Sequence, residues 1–128
     1  MSRDRLTVAV VDDDLSVRRG LERLLRSAGY RVETFSSARE FLARKGAAPP
    51  ACLVLDVSMP GQTGLQLHDA LTAAGGDIPV IFITGHSDVA MAARAMKAGA
   101  AAFLSKPFDE EVLLRAVEQT TLDGRRRP

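Results

Sequence analysis

Short apolar runs alternate along the chain with longer stretches whose apolar residues recur every three or four positions. Thr7-Val8-Ala9-Val10-Val11 is β-branched and apolar on both faces, the pattern of a strand buried in a parallel sheet. Val17, Leu21, Leu24, Leu25 and Ala28 then repeat at helical spacing, and Gly29 marks the stop. Arg31 to Phe35 alternates and predicts a second, more peripheral strand. Ser37-Ala38-Arg39-Glu40 is a capping box that opens a short helix through Phe41 and Leu42. Pro49-Pro50 breaks the chain before the continuous apolar run Cys52-Leu53-Val54-Leu55. Thr63-Gly64-Leu65-Gln66 is a second capping box, and its helix is expected to bury Leu67, Ala70, Leu71 and Ala74 before Gly75-Gly76 ends it. Pro79 to Ile83 predicts a fourth strand. Val89, Ala92, Ala93 and Met96 mark a small-residue helix stopped by Gly99, and Ala101 to Leu104 predicts a brief fifth strand. The last helix starts near Asp109, with Val112, Leu113, Ala116 and Val117 expected on its inner face.

Alternation of this kind predicts an α/β fold: a doubly wound, five-stranded parallel sheet with five helices distributed over both faces. Right-handed crossovers leave few topologies. The order 2-1-3-4-5, common among flavodoxin-like sheets, is the expected one. The sequence has no internal repeat and no low-complexity segment.

Composition adds limits. A chain of 128 residues is the size of one domain with a single core. With 46% hydrophobic and 26% charged residues it is ordinary for a globular protein, and a formal charge of +1 gives no global pull toward nucleic acid or an anionic membrane. The single cysteine, Cys52, excludes an intrachain disulfide and a cysteine-based metal site; its apolar setting reads as a buried thiol. Met1 to Arg5 leads straight into a strand without a long apolar segment, so neither signal peptide nor membrane anchor is expected and the default location is the cytoplasm. The folded domain is expected to span residues 1–122. Residues 123–128 lose periodicity and turn basic, reading as a tail that begins a linker to an output domain outside this sequence.

The chemistry lies in the residues at the end of each strand, because open α/β sheets bind ligands beyond the carboxyl ends of their strands. Asp12-Asp13-Asp14 comes after the first strand, Asp56 ends the third, Thr84-Gly85 comes after the fourth, and Lys106-Pro107 after the fifth. One aspartate after a strand is ordinarily a helix cap, and Asp14 is read that way. Capping explains at most one of Asp12 and Asp13. In the expected order the first and third strands are neighbours, so Asp12, Asp13 and Asp56 would meet in one crevice. Clustered like charges call for a cation. An all-oxygen donor set selects a hard ion, Mg²⁺ before Mn²⁺. A metal beside a solvent-facing carboxylate suggests phosphoryl chemistry with Asp56 as nucleophile, Lys106 as counter-charge and the Thr84 hydroxyl as hydrogen-bond donor. His68 and His86 are read as surface or capping residues, and Phe103 as core.

The stretches Val10-Val11-Asp12-Asp13, Leu55-Asp56-Val57-Ser58-Met59-Pro60-Gly61 through Gly64, Ile83-Thr84-Gly85 and Phe103-Leu104-Ser105-Lys106-Pro107-Phe108 resemble the receiver (CheY-like) domains of two-component response regulators, over residues about 6 to 122. The runs Thr84 to Val89 and Ala95 to Ala100 look most like the FixJ-type subgroup. The resemblance implies that Asp56 is the phosphorylated aspartate and that Asp13 and Asp56 ligate Mg²⁺ directly. It further implies that Asp12 holds the metal's waters and that the Ser58 backbone carbonyl completes the site. Lys106 would pair with the phosphoryl group, and its bond to Pro107 would be cis. Thr84 and Phe103 would be the switch pair, the hydroxyl moving to the phosphate and the ring turning inward. The implied partners are a sensor histidine kinase and, once phosphorylated, a second copy bound through the fourth helix, fifth strand and fifth helix. Catalysis on an external substrate is not implied, nor is nucleic-acid or membrane binding by this domain. Ala102 departs from the acidic residue common among relatives near the pairing surface, and Phe103 from their tyrosine. Three rivals stand beside this reading. A haloacid-dehalogenase-type phosphatase would use Asp12 as nucleophile, but would leave Asp56 without a role. A phosphate-independent receiver-like binding module would have no use for the complete set of acids, hydroxyl and lysine. A flavodoxin-like flavin binder would need aromatic and Gly/Ser/Thr-rich phosphate loops, and this sequence has none after the first strand.

Overall fold

The computed structural model describes residues 6–44, 49–57, 63–73, 78–85 and 89–126, the side chains of 89 and 122–126 excepted. Its elements come in strict alternation: β1 (Thr7–Val11), α1 (Leu15–Ser27), β2 (Arg31–Phe35), α2 (Ala38–Leu42), β3 (Cys52–Asp56), α3 (Gly64–Ala73), β4 (Val80–Thr84), α4 (Val89–Lys97), β5 (Ala102–Ser105) and α5 (Glu110–Arg126). All five strands are parallel and lie in the order β2-β1-β3-β4-β5, as expected.

The central strands are apolar on both faces because both faces are covered. β3 and β4 are buried at every position, and β1 at every position but the first. Val8, Val10, Cys52, Val54, Ile81 and Ile83 point to the face covered by α1 (Leu21, Leu25) and α5 (Leu113, Val117). Ala9, Val11, Leu53, Leu55, Val80 and Phe82 point to the opposite face, covered by α2 (Ala38, Phe41), α3 (Leu67) and α4 (Ala95). Each fully buried Val, Leu, Ile or Phe contributes about 1.5–3 kcal/mol by leaving water.

Local signals set the helix ends. Asp14 caps α1, accepting from the backbone N–H of Ser16 and Val17. Gly29, at φ 98°, takes the left-handed turn that ends α1 and starts β2. At α3 the Thr63 hydroxyl accepts from Gln66 N–H while the Gln66 amide accepts from Thr63 N–H, a reciprocal capping box. At α2 Ser37 caps Glu40 as expected, but the Glu40 carboxylate reaches one residue further back, to the backbone and hydroxyl of Ser36.

Several expectations shift. β4 and β5 begin and end one residue later than their apolar runs suggest, since Thr84 and Ser105 are paired across the sheet. Ala70 and Val112 are exposed, not inward-facing. Among the described side chains of α5 the buried ones are Leu113, Val117, Thr120 and Thr121, a stripe at 3.6-residue spacing that leaves Val112 on its edge. The same helix runs on to Arg126, past the periodicity break read at residue 122. Ala74 and Gly75-Gly76 lie outside the described residues.

Candidate functional site: an acidic rim closed by a lysine

The carboxyl ends of β1, β3, β4 and β5 converge on one edge of the sheet. Asp56 is the last residue of β3 and Thr84 the last of β4, while Asp12 comes directly after β1 and Lys106 directly after β5. Parallel pairing of β1 with β3 and of β3 with β4 makes these ends neighbours, although Asp12 and Lys106 are 94 residues apart in the chain. Each of Asp12, Asp13 and Asp56 offers a carboxylate oxygen, and the three oxygens lie within 4.8 Å of one another. Asp12 and Asp56 are buried and Asp13 is exposed.

Asp12 is engaged at every polar atom. Its N–H donates to Phe35 O (3.1 Å), its carbonyl accepts from Arg18 Nη1 (2.7 Å), Oδ1 accepts from Asp14 N–H (2.8 Å) and Oδ2 from Lys106 Nζ (2.9 Å). Such a carboxylate is a fixed part of the scaffold. Lys106 Nζ also lies 3.7 Å from Asp56 Oδ2, so one ammonium bridges two buried acids. Burial disfavours the charged form of Lys106. The Asp12 hydrogen bond and the charges of Asp12, Asp56 and Asp14 outweigh it and raise the pKa above its ordinary 10.5. The ammonium is therefore charged throughout the physiological range. Lys106 is held by its backbone too: its N–H donates to Thr84 O (2.6 Å), and its peptide bond to Pro107 is cis.

Most of the residues singled out in the sequence meet at this rim. Asp12, Asp13, Asp56 and Lys106 are brought together, and Thr84, fully buried, ends the neighbouring strand. Phe103 is half-buried on the α2–α3–α4 side, its ring 6.3 Å from that of Phe82. Ser58 and His86 lie outside the described residues. His68, expected at the surface, is instead buried on α3, edge-on to Phe82 with ring centroids 5.5 Å apart and with Nδ1 unpartnered among the described residues. Gly64, Leu67, His68 and Leu71 form the i, i+3, i+4, i+7 stripe, so His68 takes the inward place expected of Ala70. That spacing was the available signal. Arg18, whose guanidinium ties α1 back to Asp12, had no distinguishing mark in the sequence beyond its place on the first turns after the acids.

Comparison with known proteins gives the same assignment. The family model for the response regulator receiver domain matches residues 8–118. Nodulation protein W of Bradyrhizobium diazoefficiens is 50% identical over 120 residues, which is 94% of this chain and 53% of that protein. Transcriptional regulatory protein FixJ of Azorhizobium caulinodans is 46% identical over 114 residues, 89% of this chain and 54% of that protein. Among solved structures, response regulator StyR matches with a TM-score of 0.86 at 54% identity, over 93% of this chain and 60% of that one. The structure of FixJ-N matches with a TM-score of 0.84 at 41% identity, over 91% and 94%. The chain spans about half the length of the curated relatives it matches. Fold, family model and relatives agree, and the chain belongs to the response-regulator receiver domains of two-component signal transduction.

Proposed function

We propose that Asp56 accepts a phosphoryl group from the phosphohistidine of a sensor histidine kinase, and that the resulting acyl phosphate switches the α4–β5–α5 surface. The observation that carries this is the placement of Asp56: a strand-end carboxylate 3.7 Å from a bridging ammonium and grouped with two further acids.

The donor set fits a divalent ion of Mg²⁺ type, with Mn²⁺ as an alternative: three carboxylates, oxygen only, on one rim. Asp13 and Asp56 would hold the ion directly and Asp12, whose oxygens are already engaged, through water; the Ser58 carbonyl is the fourth donor this reading assigns. When bound, the ion offsets the charge of the incoming phosphate. An Asp56 carboxylate oxygen attacks phosphorus in line. The P–N bond to the donor imidazole breaks, and its electron pair stays on the ring nitrogen. Asp56 becomes an aspartyl phosphate, and the site gains about −1.5 to −2 charges. Lys106, already charged, shifts part of its bonding from Asp56 to the phosphoryl oxygens. The Thr84 hydroxyl donates to another of them, and Phe103 turns inward behind it. Water later attacks the phosphorus, the P–O bond to Asp56 breaks, and phosphate leaves. The domain thus turns over its own phosphoryl group without acting on an external substrate.

Several relatives are named as transcriptional regulatory proteins, which supports an output in transcription. On this reading residues 1–122 are the receiver, the basic end leads to an output domain, and the phosphorylated form pairs through α4, β5 and α5. A cytoplasmic site of action is part of the same proposal. Among the described residues, no helix is long and apolar enough to cross a membrane. Incubation with labelled acetyl phosphate and Mg²⁺ tests the core of it. Wild type should label on Asp56 by mass spectrometry and Asp56→Asn should not. Full labelling of that variant, or a phosphoryl group on Asp12, would overturn the assignment.

A further inference from the structure

Gly64 opens α3 and is buried. A Cβ built on it would lie 2.3 Å from the carbonyl oxygen of Asp56, 2.9 Å from Val57 Cα and 3.0 Å from the Asp56 carbonyl carbon. All three are backbone atoms, so no side chain can swing aside to relieve the contact. Gly64 also donates its N–H to Val57 O at 2.9 Å. The peptide that this Cβ would strike, Asp56–Val57, is held from the sheet side: Val57 N–H donates to Ile83 O at 3.0 Å, and Asp56 is in register with Ile83 of β4. The Asp56–Val57 peptide is therefore clasped between α3 and β4.

Other glycines do different work. Gly29 and Gly99 hold positive φ, at 98° and 100°, where side chains are strained. Gly20 and Gly85 face open space, and a Cβ there would meet nothing within 4 Å. The requirement at Gly64 is steric and falls on the backbone of the residue whose carboxylate faces Lys106.

We propose that Gly64 is a positioning residue for phosphotransfer: its missing side chain lets α3 seat directly on the Asp56–Val57 peptide and so fixes where the nucleophile stands relative to Lys106. The proposal rests on Asp56 being the phosphoacceptor. Restoring ordinary contact distance to an alanine at 64 takes a displacement of roughly 1 Å, a misplacement able to cost about a hundredfold in rate. The substitution removes none of the charged groups that meet the donor. The loss therefore falls on the rate at saturating donor and spares the donor concentration giving half that rate.

The experiment uses Gly64→Ala in a Gly20→Ala background, with Gly20→Ala alone as reference, acetyl phosphate as donor and Mg²⁺ in excess. Rates are expressed per folded molecule from far-UV circular dichroism at the assay temperature. The expected result is a fall of about 10- to 100-fold in the saturating rate, with the half-saturating donor concentration changed less than about twofold. An unchanged rate per folded molecule overturns the proposal, whatever happens to the melting temperature, because it leaves Gly64 a purely structural role. A rise in half-saturating concentration that accounts for the loss overturns it too, as does failure of the double variant to fold at all. Asp56→Asn in parallel separates the two readings. Labelling of that variant sinks the phosphoacceptor assignment itself, whereas its silence beside a fully active Gly64→Ala sinks only the positioning role.

Discussion

At the scale of single residues, the site is built by satisfying one buried carboxylate completely. Asp12 is fully buried, and each of its four polar atoms has a partner: Phe35, Arg18, Asp14 and Lys106. Lys106 is the only one of the four that brings a charge to its carboxylate. Removing it strands a buried anion, and such losses cost more than the pair itself contributes. Lys106→Ala is therefore expected to lower unfolding free energy by about 2–4 kcal/mol in urea melts without metal; a loss under about 0.5 kcal/mol, the size of an ordinary surface ion pair, would contradict it. Cys52 presents the opposite case, a titratable group with no charge to serve. Burial pushes its thiol from 9.0 up to about 12. The folded state keeps the proton that the unfolded chain loses near pH 9, so this residue's contribution is fully present below pH 9 and is lost as pH rises from 9 towards 12. Iodoacetamide at pH 8.5 (an assay setting, roughly the ordinary thiol range) should leave native protein unmodified and label it in denaturant. Rapid native labelling would show the thiol to be accessible.

At the scale of elements, sequence patterns identified every strand and helix but placed some faces and ends wrongly. Strand type was legible because both sheet faces are covered, which makes residues 8–11, 52–55 and 80–83 unbroken apolar runs. Strand ends were legible only to within one residue, since Thr84 and Ser105 pair in the sheet without being apolar. Helix faces depended on phase. In α3 and α5 an alanine or valine beside the true stripe, Ala70 and Val112, fits the composition of a core as well as the buried residue does. The acids, Thr84 and Lys106 stood out because four strand ends carried polar groups of complementary kind. Arg18 did not, because a bond to a backbone carbonyl leaves no chemical signature in one sequence, and Gly64 stood as the end of a resembling motif, with nothing to show what its missing side chain makes room for. α1 offers the test at this scale. Gly20 sits on its exposed face in the helix interior with open space where a Cβ would stand. Alanine there gains helix propensity and removes unfolded-state entropy without meeting anything, so Gly20→Ala should add about 0.5–1 kcal/mol and raise the melting temperature by about 2–4 °C. A destabilised Gly20→Ala would mean that α1 lies closer to its neighbours than this packing allows.

At the scale of the whole molecule, the site exists only when the fold does. Asp12 and Lys106 are 94 residues apart, and an unfolded chain does not hold Asp56 beside Asp12 and Asp13 as the folded one does. An ion that binds this cluster therefore favours the folded state by mass action, by about 2.7 kcal/mol at a free concentration 100 times its dissociation constant. Melting temperature should climb with the logarithm of Mg²⁺ concentration and return to its starting value on adding EDTA. Asp13→Asn supplies the control with a change of sign. Asp13 is the exposed member of the cluster and adds like charge to two buried acids, so without Mg²⁺ its removal should raise stability by roughly 1 kcal/mol. On the proposed role of Asp13 as a direct ligand, the same variant should fall below wild type with Mg²⁺, because the linkage is lost. A variant that merely damaged packing would be weaker in both conditions, and one at an irrelevant surface position would be neutral in both. The crossing of the two curves is thus specific to an acidic site held open for a cation, and a wild-type melting temperature indifferent to Mg²⁺ would remove the cation from the account of this rim.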